Sequence, residues 1–299
     1  RALQKMGIKD TKIVGIDGFT GEDGGIDLVR RGTIDQTITC PTGGKEAVQF
    51  ALDILNKNSG VPKQVILRSH RLSQNNLDSY LAMLEHPYSP PEETIRVGYA
   101  QVGTESGWRL ANNNSIKQAA RDFAIDLIVV DADQSQARQI EAVRGFIKEE
   151  VDVIVISPVV NTGWDEVLNE VKAAGIPVLL SDRKIDVENP DLYMTFIGAD
   201  FEEEGRRAMR WVKDHVSAKE DGTPVKILEI EGTIGATPTI ERQMGFRSIL
   251  VDHPGYEIVH AQSGDFILTG GAEVVADHLA SNKWDIEVIF DHNDDMVLV

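Results

Sequence analysis

A chain of 299 residues with 41% apolar content can bury two ordinary hydrophobic cores. Its formal net charge of -18, with no block of clustered Lys and Arg, argues against a nucleic-acid partner held through phosphates. The single cysteine, Cys40, allows neither an internal disulfide nor a cysteine-rich metal site, and no apolar run is long enough to span a bilayer.

Residues 1–7, RALQKMG, read as the back half of a helix stopped by Gly7, with nothing capping its start. Residues 292–299, HNDDMVLV, read as a strand end followed by the first turns of a helix. Setting Val299 before Arg1 makes one amphipathic helix between two strands, which predicts a circularly permuted chain. Residues 12–18, KIVGIDG, form a buried strand that delivers Asp17 to a glycine-rich loop. A helix over 26–31, a strand over 33–39 and a helix over 45–56 follow, the last with Val48, Ala51, Leu52 and Leu55 at helical spacing. Residues 64–71 alternate as a half-exposed strand.

The stretch 86–94, HPYSPPEET, has three prolines and no periodicity, as a tether would. After it the pattern restarts with strand 95–102, a helix continuing over 112–123, strand 126–133, helix 136–149, strand VDVIVISPV, helix 164–174 and strand IPVLLSDR. A second run has a helix from Asp200 through Val212, strand VKILEIEG, helix 239–250, strand YEIVHAQ, helix 271–279 and strand IEVIFDHND. Such alternation predicts parallel sheets with helices on both faces. The fold class is therefore α/β, with two doubly wound, Rossmann-like lobes joined by a hinge.

In open α/β sheets ligands bind beyond the carboxyl ends of strands, where IPVLLSDR places Asp182 and Arg183. A carboxylate and a guanidinium fork there suit the hydroxyls of a small polyol, and Asp17 shares that topological position. Taken alone, an Asp-Arg pair is more often a surface turn. After the first strand of the restart comes GTESGWR, with Trp108 in a loop and Arg109 beside it; a flat indole suits the apolar C–H face of a sugar, and equally suits ordinary packing. Arg242 lies on the first turns of a helix whose amino end faces the same cleft. Asn293 offers a donor and an acceptor, whereas Asp294 and Asp295 are assigned to the amino end of a following helix.

These segments resemble the periplasmic sugar-binding proteins of ABC transporters, of the ribose-binding type, and most closely those that bind galactofuranose. The carriers are QVGTESGWR, VISPVVNTGW, LLSDR, EGTIGATPTIERQMGF, QSGDF, HNDDMV and GIDG, which span nearly the whole chain. Their order departs from the family, whose members begin near Ile95 and finish near Leu84. The resemblance implies a type I periplasmic-binding-protein fold, a Venus flytrap, with ligand contacts at Glu105, Trp108, Arg109, Asp182, Arg183, Arg242, Asn293 and Asp17. It implies one lobe from 94–199 plus 41–66, another from 200–299 plus 1–40 and 67–85, and a linker at 86–93. Chain crossings fall near Asp200, Cys40 and residues 65–69. In ribose binders a glutamine sits about where Cys40 lies, so the ligand expected here is a different monosaccharide, a hexose. The resemblance further implies delivery to an ABC transporter permease, a monomer, no cofactor or metal, and a periplasmic or exported location with the signal peptide absent from this chain.

Three rivals stay open. A dehydrogenase would need G-x-G-x-x-G after the first strand, and GTESGW lacks that spacing. A hydrolase triad built on His292 and Asp294 has no nucleophile elbow, while a glycosidase using Asp182, Asp17 and Glu105 is harder to set aside. A sugar-sensing module serving a membrane receptor or an engineered biosensor has the same site chemistry.

Overall fold

The computed structural model describes residues 11–19, 24–57, 60–81, 94–281 and 284–297. The expected helix over residues 1–7, the linker at 86–93 and the join at Val299 lie outside them.

Twelve strands among the described residues form two six-stranded sheets. One contains β1 (Lys12–Asp17), β2 (Gln36–Thr39), β4 (Arg71–Leu72), β10 (Val225–Glu231), β11 (Tyr256–Ser263) and β12 (Val288–Asp291), in the order β11-β10-β12-β1-β2-β4. The other contains β3 (Gln64–Leu67), β5 (Arg96–Gln101), β6 (Asp126–Asp131), β7 (Val153–Ile156), β8 (Val178–Ser181) and β9 (Thr195–Ala199), in the order β3-β9-β8-β7-β5-β6. All pairs are parallel except β2 with β4. Counted from β5 with β3 last, the second sheet has a doubly wound order. The first sheet has the same order when it is counted from β10 and β1, β2 and β4 follow β12.

The central strands are buried on both faces, which is why β5, β7, β8, β1 and β12 are near-continuous apolar runs, whereas the edge strands β3, β6 and β11 are half-exposed. On one face of the second sheet, Val97, Tyr99, Val155 and Leu179 meet α2 (Gly44–Leu55) and α4 (Gly107–Asp122). On its other face Ala100, Ile154, Leu180 and Phe196 meet α5 (Gln136–Lys148) and α6 (Asp165–Ala173). In the first sheet Leu228, Ile230 and Ile289 pack on α1 (Gly25–Arg30) and α9 (Leu268–Ser281). Ile16, Ile38, Ile227 and Phe290 pack on α7 (Phe201–His215) and α8 (Thr237–Leu250). A short α3 (Leu77–Leu81) places Leu77 against Ile26 and Leu72.

Within the described residues the chain passes between the lobes three times, and it changes lobe once more between α3 and β5. It leaves β2 for α2 at residues 40–43, leaves β9 for α7 at Asp200, and runs from β3 to β4 through residues 68–70. The expected single strand over 64–71 is thus two strands in different sheets, because the segment turns at the crossing. A further strand, β9, pairs with both β8 and β3 and was not anticipated; its TFIGA sequence has no alternation to betray it.

Candidate functional site

The carboxyl ends of both sheets face a cavity between the lobes, with about 290 Å³ of empty space, part of it open to solvent. All eight residues singled out from the sequence, Asp17, Glu105, Trp108, Arg109, Asp182, Arg183, Arg242 and Asn293, line it. Cys40, Ser106, Phe201, Pro238 and Phe266 complete the wall.

Asp182 follows β8 with φ +69°, a conformation that aspartate tolerates better than most side chains. Its Oδ2 accepts from Arg109 Nη2 at 2.8 Å, and Arg183 Nε lies 3.7 Å from the same oxygen. Arg109 also donates through Nε to Glu105 Oε1 at 3.5 Å and through Nη1 to Asn112 Oδ1 at 3.3 Å. Burial alone would lower the pKa of Arg109, but Asp182 and Glu105 together hold it above that of an ordinary arginine. Arg183 donates to the Val159 carbonyl at 2.9 Å, and burial, reinforced by Arg109, brings its pKa down to about 10.

Trp108 lies in the first turn of α4 and not in a loop. The helix starts there because Ser106 caps it, its Oγ accepting from the Arg109 amide at 3.1 Å. The cap fixes the indole and the guanidinium side by side, with Arg109 Cζ 4.8 Å from the Trp108 ring. The indole N–H donates across to the Cys40 carbonyl.

From the other lobe Asp17 ends β1 with φ +138°. Burial pushes its carboxyl well above the usual range, against the pull of Arg242, whose Nη2 is 4.0 Å from Oδ1. Arg242 lies on α8 and is turned mainly toward Glu204, donating to Oε2 through Nε at 3.1 Å and pairing through Nη2 at 3.0 Å. Glu204, fully buried on α7, was missed in the sequence because a run of three glutamates reads as a solvated face. Asn293 spends part of its amide on the Phe266 carbonyl, 3.1 Å away, and accepts from the Met296 amide at 3.2 Å.

The helix expected to follow Asp294 and Asp295 would run on outside the described residues. Asp294 is buried and accepts from the Gly18 amide at 3.0 Å and from the Thr37 hydroxyl at 2.9 Å. Asp295 instead accepts from the Gly107 amide of the opposite lobe at 2.8 Å. His292 bonds to Glu229 at 3.2 Å, so it forms no pair with Asp294.

The lobes are closed on one another. Besides the Trp108 and Asp295 bonds, Lys184 Nζ reaches Glu241 Oε1 at 2.7 Å, and the Lys184 amide donates to Thr237 Oγ1 at 3.1 Å. Three buried polar atoms of residues that line the cavity have no hydrogen-bond partner in the protein: Asp17 Oδ2, Glu105 Oε2 and Arg183 Nε. Acceptors and a donor facing apolar rings of Trp108, Phe201 and Phe266 form a surface suited to a compact molecule with hydroxyls on its rim and C–H bonds on its face. Among the described residues no group of three or more His, Cys, Asp or Glu could hold a metal ion. No helix among them is long and apolar enough to cross a membrane.

Comparison with known proteins adds the family. The chain is similar to the galactofuranose-binding protein YtfQ of Escherichia coli strain K12, 43% identical over 206 residues, which cover 68% of this chain and 64% of that protein. The match thus spans less than two thirds of that relative's length. A Mycobacterium smegmatis protein solved in complex with β-D-fucofuranose is 50% identical, with a TM-score of 0.66, over 69% of this chain and 66% of its own. The periplasmic component of the arabinose ABC transporter from Shewanella sp. ANA-3, solved with α- and β-L-arabinofuranose, is 44% identical, with a TM-score of 0.63, over 67% of this chain and 65% of its own. The family model described as the periplasmic binding protein domain matches residues 97–299. The two-lobed parallel architecture and this match agree: the chain belongs to the periplasmic binding protein domain family.

Proposed function

We propose that the protein binds one monosaccharide, a hexose in its furanose form such as galactofuranose, between closing lobes and delivers it to an ABC transporter permease. The observation that carries this reading is the set of unpartnered buried atoms, Asp17 Oδ2, Glu105 Oε2 and Arg183 Nε, contributed by both lobes to one cavity. An unpaired buried polar atom is unfavourable by ~1–3 kcal/mol, and hydroxyls of a sugar would satisfy all three at once. Relatives solved with fucofuranose and arabinofuranose support the furanose form.

Each charged hydrogen bond contributes ~1.5–3 kcal/mol, so several of them, less the ordering of two lobes, give a Kd on the order of micromolar. Calorimetry and thermal shift against D-galactose, D-fucose, L-arabinose and D-ribose test the reading. Binding of at least one of the first three, with a raised melting temperature, is expected; four flat responses overturn it. In this reading Asp17, Glu105 and Asp182 bind and do not catalyse, so a nitrophenyl galactofuranoside stays intact.

The same reading takes the protein as a monomeric, exported transport component whose lobes hinge at the three crossings. Residues 94–199 with 41–66 make one lobe, 200–299 with 1–40 and 67–85 the other, and 86–93 a linker. It also takes the chain as circularly permuted. The identical strand order of the two sheets, obtained when β1, β2 and β4 follow β12, supports this. Rejoining the protein so that residues 94–299 precede 1–85 is expected to keep the sugar affinity, and its loss would count against the permutation.

A further inference from the structure

Glu204 occupies a place that sugar contact does not explain. It lies in the first turn of α7, just past the crossing at Asp200, and is fully buried. One oxygen, Oε1, accepts from Ser69 Oγ at 2.8 Å; the other receives Arg242. Ser69 belongs to the crossing between β3 and β4, and its carbonyl accepts from Arg207 Nη1 at 2.7 Å. The next residue, His70, donates its amide to Thr39 Oγ1 at 2.7 Å and accepts from the Thr39 amide at 2.8 Å, just ahead of the Cys40 crossing. Glu204 therefore touches a hinge segment with one oxygen and a cavity-lining arginine with the other.

Close helix packing makes the second contact possible. A Cβ on Gly205 would lie 2.1 Å from the Arg242 carbonyl, and one on Gly245 would lie 1.9 Å from the Glu202 carbonyl, so α7 and α8 meet backbone to backbone at this point. A buried carboxylate is expensive unless paired, and an apolar side chain would fill the space more cheaply if filling were its only task.

We propose that Glu204 is a positioning residue that couples the hinge to Arg242, so that opening of the crossings and release of the guanidinium from its sugar-facing orientation are one event. The inference rests on the sugar-binding reading for its purpose, but the coupling itself is measurable without sugar. Burial raises the Glu204 carboxyl to about 7, against Arg242 on α8 and the Ser69 hydroxyl, with Asp182 at the end of β8 adding to the rise. Asp17 at the end of β1 and the Cys40 thiol after β2 feel its charge in turn. Protonation near neutrality would loosen both of its contacts together.

The first test uses sugar-free protein and follows exchange of the His70 amide. Arg242→Ala, a change on a different helix from the hinge, is expected to speed that exchange about tenfold, as is Glu204→Gln, while the double variant exceeds neither single one. Arg242→Lys, which keeps the charge, is expected to give the same effect at smaller size and serves if the alanine variant does not fold. Unchanged exchange, or additive effects, overturns the coupling. The second test measures D-galactose, D-fucose and L-arabinose dissociation. Glu204→Gln is expected to speed release about tenfold or more with little change in association, and to flatten a wild-type release rate that rises as pH falls from about 8 to about 6. A variant with the wild-type pH profile overturns the proposal. Failure of wild-type protein to bind any of the three sugars removes the sugar-binding reading alone, since the exchange result stands separately.

Discussion

The two lobes share one strand order, and in each the fourth strand of that order ends in an aspartate with positive φ, Asp182 after β8 and Asp17 after β1. In each, the helix after the first strand carries an arginine that lines the cavity, Arg109 on α4 and Arg242 on α8. The pairings nevertheless differ. Arg109 closes on Asp182 at 2.8 Å, whereas Arg242 stands 4.0 Å from Asp17 and is held by Glu204 at 3.0 Å and by the His292 carbonyl at 2.7 Å. Equivalent backbones thus present different faces: an ion-paired platform on one side and, on the other, a carboxylate left with a free oxygen.

Breaking the platform should have the largest effect. Arg109→Ala leaves Asp182 and Glu105 buried without that cation, and a loss of about 3–5 kcal/mol in urea unfolding is expected, with sugar binding abolished. In the other lobe Gly25→Ala would put a Cβ 1.6 Å from Asp294 Oδ2, and about 1–3 kcal/mol of destabilisation is expected from the forced shift. Asp17→Asn separates binding from stability. Its unpartnered oxygen serves no protein group, so unfolding should change by less than about 1 kcal/mol, while calorimetry should show a sugar affinity about 10–100-fold weaker. Equal losses in both measurements would erase the proposed contrast between the lobes.

A pH series gives the smallest and broadest comparison. Burial raises Glu204 and Asp294 to about 7, and both belong to the lobe built on the first sheet. Groups with raised folded pKa bind more protons folded than unfolded, so their contribution is full below their ordinary carboxyl pKa and is lost as pH rises through about 7. Melting temperature should therefore fall by on the order of 5 °C between about pH 5 and pH 8, and Glu204→Gln should remove part of the fall.

Much of this was legible in the residues. VLLS of β8 and KIVGID of β1 announce themselves because a strand buried on both faces has no polar positions to interrupt it. The strand-end rule then carries Asp182 and Asp17 to one cleft. Trp108 was misplaced although its signal was present: Ser106 is a preferred cap, and Gly107 obscured the helix start. Phe201, Pro238 and Phe266 were not singled out as lining residues, since an apolar residue lining a cavity has the same pattern as one filling a core. Glu204 and Asp295 were illegible for a different reason. Their roles arise from contacts with Ser69, Arg242 and Gly107, which only the tertiary arrangement brings near.

The bond from the Trp108 indole to the Cys40 carbonyl ties one lobe to the crossing at residues 40–43, and the indole itself lines the cavity. Of the other three tryptophans, Trp164 and Trp211 are buried within the core of a single lobe, and Trp284 packs half-buried against one. Parting of the lobes would therefore wet the Trp108 indole and leave the surroundings of the other three unchanged, so the protein carries its own fluorescent gauge. A red-shifted emission component, absent in Trp108→Phe, would report the degree of opening in real time without an added dye.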